Sequence, residues 1–188
     1  MTFDIVALAA SAGGLNALSE VLSGLPEHFP ASVVVVQHLA PKHRSMMADI
    51  LSRRTALTVK QAENGELLQP GVVYIAPPDY HLLINENYTL SLSQSELVNF
   101  VRPSADLLFN SVADSYGERA IAVVLSGTGH DGAKGVENIA KMGGIVIAQD
   151  ETAEHFGMPK AAIKTDLVQY ILPLNQIPPL LISLTIKK

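Results

Sequence analysis

Short apolar runs alternate along this chain with segments of helical periodicity. Strand-like runs fall at 4–10, 32–37, 57–61, 72–76, 81–84, 88–92, 121–125, 144–148 and 168–172. Those at 33–36, 121–125 and 145–148 are apolar without a break. Uninterrupted runs suit strands buried on both faces of a parallel sheet. Helix-like segments fit between the strands at 14–24, 44–54, 103–117, 131–142, 158–164 and 176–187. This alternation predicts an α/β fold, a doubly wound and mostly parallel sheet with helices on both faces. Residues 80–92 depart from it. Two short runs flank Asn85–Asn87, which predicts a small antiparallel hairpin. The stretch 93–101 has no clear period and reads as a loop before a helix opened by Pro103.

The length of 188 residues suits one domain with a sizeable core. No repeat, low-complexity tract or linker divides it. Only 16% of residues are charged, which argues against disorder. With no cysteine, disulfides, zinc–thiolate sites and cysteine nucleophiles are excluded. No apolar run reaches the ~20 residues of a membrane-spanning helix. The apolar stretch after Asp4 lacks the basic start of a signal peptide and breaks at Gly13-Gly14. A net charge of −5 argues against general nucleic-acid binding. The charge is uneven. Lys42, Arg44, Arg53, Arg54 and Lys60 face one acid, Asp49, so residues 42–60 carry +4 and the rest −9. That segment is either a solvated helix face or a docking surface for an acidic partner.

Three loops, each following a strand-like run, hold a serine, a histidine and an aspartate: Ser11, His38 and Asp131. These are the residue types of a nucleophile, a base and an orienting acid. Open α/β sheets gather ligands beyond the carboxyl ends of their strands, so one crevice can receive all three. The order Ser, His, Asp differs from that of α/β-hydrolases, and no G-x-S-x-G elbow surrounds Ser11. Each residue also has a plain structural reading. Ser11 can be an N-cap. His38 can be a half-buried histidine at a strand end. Asp131 can cap the helix that follows it.

The loop Gly127-Thr-Gly-His-Asp-Gly132 also matches G-x-G-x-x-G, and Asp150 follows the next strand. That is the outline of a nicotinamide-dinucleotide site in an oxidoreductase. Against it, Asp131 brings a carboxylate to the place where a pyrophosphate would sit. His43, His81, His130 and His155 lack the spacing of a metal site.

Six motifs together resemble the chemotaxis protein-glutamate methylesterases, the CheB-type catalytic domain. They are Ala10-Ser11-Ala-Gly-Gly14, Gln37-His38-Leu-Ala-Pro41, Gly71-Val-Val-Tyr-Ile-Ala-Pro77, Arg102-Pro-Ser-Ala-Asp106, Leu125-Ser-Gly-Thr-Gly-His-Asp-Gly132 and Phe156-Gly-Met-Pro159. The resemblance spans nearly the whole chain. It implies a triad of Ser11, His38 and Asp131 and hydrolysis of glutamate γ-methyl esters on the cytoplasmic helices of chemoreceptors. Methanol is released, and receptor glutamines are a further substrate in the family. Backbone N–H groups of Ala12, Gly13, Thr128 and Gly129 are the candidate oxyanion donors, and Arg102 is a candidate substrate contact. Neither metal nor organic cofactor is implied.

The chain departs from the family pattern at Ala12, where Thr is common, at Thr128, usually Met, and at His130, usually Asn. Rate and deamidation are the properties these changes touch. Many members carry a receiver domain ahead of this one. Here the first strand starts near Asp4, so the expectation is a single methylesterase-like domain over 1–188 with no receiver domain. It would be either a fragment or a stand-alone cytoplasmic esterase under a separate regulatory protein. A non-catalytic receptor-binding module is the remaining alternative.

Overall fold

The computed structural model describes residues 3–39 and 45–186. Among them nine strands form, one in each predicted run: β1 (Ile5–Ala10), β2 (Ser32–Gln37), β3 (Thr58–Gln61), β4 (Val72–Ile75), β5 (His81–Ile84), β6 (Leu90–Ser93), β7 (Ala120–Val124), β8 (Ile145–Gln149) and β9 (Tyr170–Leu172). Among the described residues there are six helices: α1 (Gly14–Ser23), α2 (Met47–Ser52), α3 (Ala105–Tyr116), α4 (Ala133–Lys141), α5 (Gly157–Ile163) and α6 (Ile177–Thr185), the last of which follows β9. Seven strands make one sheet in the order β3-β4-β2-β1-β7-β8-β9. Every pairing within it is parallel. Strands β5 and β6 pair antiparallel, as the 80–92 pattern predicts.

Strand β1 shows why the sheet is buried on both sides. Ile5, Ala7 and Ala9 face a core shared with α3, α4, α5 and the hairpin. Val6, Leu8 and Ala10 face a second core with α1, α2 and α6. Alternate residues point to opposite faces, so a strand between two helical layers must be apolar throughout.

The chain leaves β1 through α1 to β2 on one side, and later returns through α3 to β7 on the other. The strand order therefore reverses at β1. The carboxyl ends of β1, β2 and β7 open on one crevice, the place where such sheets bind ligands.

Three expectations change in detail. Helix α3 is not opened by Pro103. It begins at Ala105, and Ser104 caps it by accepting from the Leu107 N–H at 3.4 Å. Helix α2 is shorter than 44–54. In the basic segment, Lys42 and Arg44 lie outside the described residues. Lys60 is paired with Glu63 at 3.0 Å and Glu66 at 2.6 Å, and the Arg54 guanidinium donates to Ser19 Oγ at 3.2 Å. Two of the five cations are thus already engaged within the molecule.

Candidate active site

Ser11 follows β1, and its loop is fastened on three sides. Its N–H donates to Ser126 O at 2.9 Å, and its own carbonyl accepts from Gly14 N at 2.8 Å. Gln37 Nε2 donates to the same carbonyl at 2.7 Å. Ser126 Oγ donates to Ala12 O at 2.8 Å and accepts from the His155 N–H at 3.0 Å. Gly13, with φ 73°, turns the chain into α1 and is the N-cap residue. The cap is made without a side chain, so Ser11 is not spent on the helix. Among the described residues its hydroxyl has no hydrogen-bond partner, and it faces a cleft of about 250 Å³.

His38, at the end of β2, lines the same cleft. Its Nε2 lies 2.7 Å from Asp131 Oδ2. That leaves Nδ1 as the ring nitrogen without a partner among the described residues. Asp131 follows β7 and is 4% exposed. It accepts from Ser104 Oγ at 3.1 Å, Ala105 N at 2.7 Å and Asp106 N at 3.1 Å. Its carboxylate therefore sits on the N-terminus of α3, the positive end of a helix it does not belong to. The reading of Asp131 as the cap of its own following helix fails: Gly132 holds that position. Burial raises the cost of charging Asp131. The hydrogen bond to His38 and the N–H groups of Ala105 and Asp106 outweigh it and hold the carboxyl below its usual range.

Asp106 occupies the N-terminus of α4 in turn. Its Oδ1 accepts from Gly132 N at 3.0 Å and Gly135 N at 2.8 Å. Its Oδ2 accepts from Asn99 Nδ2 at 3.1 Å. The dinucleotide reading of Gly127–Gly132 needs those helix N–H groups for a pyrophosphate. Here they are filled by a buried carboxylate, so that reading has no seat for its ligand. Among the described residues no group of three acidic or histidine side chains is placed to hold a metal.

The cleft wall opposite Ser11 is the loop after β7. Gly127 N donates to His155 O at 2.9 Å and Gly127 O accepts from Met158 N at 2.8 Å, which pins the loop to the start of α5. Thr128, Gly129 and His130 line the cleft. Among the described residues, the N–H groups of Ala12, Gly13, Thr128 and Gly129 have no acceptor, which leaves them free for a developing negative charge. Arg102, expected to meet substrate, is otherwise engaged. It donates to Asp79 Oδ1 at 3.0 and 2.7 Å, to Gln94 O at 3.1 Å and to Ser95 O at 2.6 Å. It holds the 94–101 loop in place beside the cleft. Sequence reasoning passed over Asn99 and Val101, which line the cleft from that loop, and the buried Gln37, whose amide anchors Ser11. Gln37 stood next to His38 in a quoted motif and was the one signal available.

Residues 6–181 match the family model described as CheB methylesterase. The catalytic domain of the Thermotoga maritima CheB methylesterase, known from a crystal structure, is 41% identical and superimposes with a TM-score of 0.93 over 98% of this chain and 100% of that one. The Thermotoga maritima protein-glutamate methylesterase/protein-glutamine glutaminase is 43% identical over 184 residues, 96% of this chain and 54% of its own length. A Leptospira interrogans protein provisionally given that same double name is 40% identical over 98% of this chain and 96% of its own. The chain thus spans about half of the first of these two relatives and nearly all of the second.

Proposed function

The chain belongs to the CheB methylesterase family, and we propose that it hydrolyses glutamate methyl esters on chemoreceptors, with Ser11 as nucleophile, His38 as general base and Asp131 as the acid that orients it. The observation that carries this reading is the 2.7 Å His38–Asp131 pair in the same cleft as the Ser11 hydroxyl, which has no partner among the described residues.

The ring orientation sets the proton path. Ionised Asp131 accepts from Nε2–H, which fixes the tautomer with a bare Nδ1. Nδ1 takes the Ser11 proton as Oγ attacks the ester carbonyl. The tetrahedral oxyanion is met by N–H groups of Ala12 or Gly13 on one side and Thr128 or Gly129 on the other. Protonated Nδ1 then gives its proton to the leaving methoxide oxygen, and methanol departs. A water, deprotonated at Nδ1, attacks the acyl-enzyme and returns Ser11 and a glutamate carboxylate. An amide follows the same course with ammonia as leaving group, so receptor glutamine is a second substrate of the same machinery. Each step uses groups of this chain and water.

The test is methanol release from methylated receptor membranes, comparing the native protein with Ser11→Ala at equal folded fraction. Release by the native protein and none by the variant is expected. Equal release by both removes Ser11 as nucleophile, and none by either favours a non-catalytic receptor-binding module.

A further inference from the structure

The loop that walls the cleft carries a side chain that neither the triad nor the core uses. Phe100 is 96% exposed. Burying an aromatic ring is among the strongest apolar gains a chain can make, and this ring is left in water. Its backbone is equally out of place. Val98 and Val101 exchange both hydrogen bonds, at 3.1 and 3.0 Å, around Asn99 and Phe100. Asn99 has φ 51° and Phe100 φ 66°. Two consecutive central residues at positive φ make a type I′ turn, whose second centre is ordinarily glycine. A bulky residue there is strained.

The turn is held firmly in spite of that strain. Asn99 Nδ2 donates to Asp106 Oδ2 at 3.1 Å, and Arg102 clamps Gln94 O, Ser95 O and Asp79 from behind. Asn99 and Val101 face the cleft of Ser11 and His38. Phe100 and Leu97, itself 54% exposed, face an adjoining depression of about 170 Å³ that shares His38 and Val101 with it. An apolar tip therefore projects beside the catalytic cleft and is continuous with it. Backbone strain that the surrounding hydrogen bonds hold in place at a solvent-facing position is a reason to look for a function there.

We propose that Phe100 is a docking anchor for the protein substrate: it inserts into an apolar groove on the chemoreceptor surface beside the esterified glutamate. The inference rests on the methylesterase reading. A cleft of about 250 Å³ is far too small for a protein, so the receptor backbone that bears the ester must lie across the rim, where Phe100 and Leu97 stand. Interface energy concentrates in aromatic anchors of this kind. An anchor on the rim acts on the protein substrate and not on the ester bond.

The deciding variant is Phe100→Gly, since glycine is the residue the turn prefers. Three quantities are measured for it, for Phe100→Leu and for the native protein: Tm, kcat/KM on methylated receptor membranes and kcat/KM on a small activated ester. The expected result for Phe100→Gly is an unchanged or higher Tm, unchanged small-ester hydrolysis, and a loss of at least about tenfold on receptors. Phe100→Leu should recover part of that loss. Receptor turnover within about twofold of native in Phe100→Gly overturns the inference and leaves the function standing. A fall in Tm with parallel losses on both substrates overturns it in favour of a structural role for the ring. No methanol release from receptors by the native protein overturns the methylesterase reading, and the docking role with it.

Discussion

Asp131 and Asp106 cap each other's helices. Asp131 stands just ahead of α4 but accepts the first N–H groups of α3, at 2.7 Å from Ala105 and 3.1 Å from Asp106. Asp106 stands within α3 but accepts the N–H groups of Gly132 and Gly135, at 3.0 and 2.8 Å. The helices approach closely enough for this because position 135 is glycine: a Cβ there would lie 2.6 Å from Phe109 Cβ. The exchange locks the orienting acid of the proposed triad to two helix ends at once.

Asp131→Asn should therefore lose both activity and stability. One amide oxygen can replace Oδ1 toward Ser104 and the Asp106 N–H. The amide NH₂ would then face two donors, the Ala105 N–H and His38 Nε2–H. Leaving buried donors unsatisfied costs roughly 1–3 kcal/mol, or several degrees of Tm for a chain of this size. The wrong His38 tautomer is favoured as well, and by analogy with the handicap of an amide in a serine-protease triad we expect a kcat loss of at least ~10²-fold. Activity within about twofold of native would remove Asp131 from the mechanism.

Asp106→Asn tests the pH sense of the exchange. Burial pushes the Asp106 carboxyl up. The N–H groups of Gly135 and Gly132 pull it back in part, and the nearby Asp131 charge adds to the rise. An acid whose folded pKa lies above its unfolded value favours the fold most at low pH and loses that contribution as pH rises from about 4 through the folded value. Asn keeps the Oδ1 acceptor for α4 and carries no charge. The Tm of Asp106→Asn relative to native should thus move in the variant's favour as pH is raised. For Asp131, whose folded pKa is lowered, stability is present above about pH 4 and fades as pH falls through the folded value. The Tm gap between native and Asp131→Asn should narrow in acid. Gaps that stay constant between pH 3 and 7 would contradict both assignments.

The strands were legible because their burial on both faces leaves no polar residue in the middle of a run, as at 33–36 and 121–125. The three loop residues were legible because parallel strands deliver their carboxyl ends to one edge. The helix-end exchange was not. Asp131 precedes α4 by two residues, so the only capping role that local reasoning offered it was at α4. Its true partners are 25 and 26 positions away. The turn at Asn99 and Phe100 was hidden for a different reason: turn signals are read from glycine, and here phenylalanine holds the glycine position.

Gly127→Ala should disturb Ser11 directly. A methyl at that position would collide with Met158 Sδ and lie 2.9 Å from Ser11 Cβ. Overpacking of this kind costs typically about 1–3 kcal/mol. Displacement of Ser11, the proposed nucleophile, should also cut kcat by about tenfold or more. Shortening the methionine in Gly127→Ala/Met158→Ala relieves one of the two contacts, so the double variant should be more stable than the sum of the single changes predicts. Strict additivity in Tm, or an undiminished kcat in Gly127→Ala, would show that the loop yields without moving Ser11.

Arg102 separates a substrate contact from a scaffold. Its guanidinium makes four hydrogen bonds within the molecule, two of them to one Asp79 oxygen and two to the carbonyls of Gln94 and Ser95. Lysine keeps the charge but not the planar fork that spans these acceptors. Were Arg102 bound to substrate through charge alone, Arg102→Lys would keep most of its activity and all of its stability. The geometry predicts otherwise. Arg102→Lys should lower Tm by a few degrees and loosen residues 94–101, seen as faster amide exchange at Val98 and Val101, whose mutual hydrogen bonds close the turn. Receptor turnover should then fall through KM more than through kcat, because the turn that carries Phe100 is no longer fixed while the triad keeps its own anchors. A loss confined to kcat, with Val98 and Val101 still protected, would return Arg102 to the reacting centre.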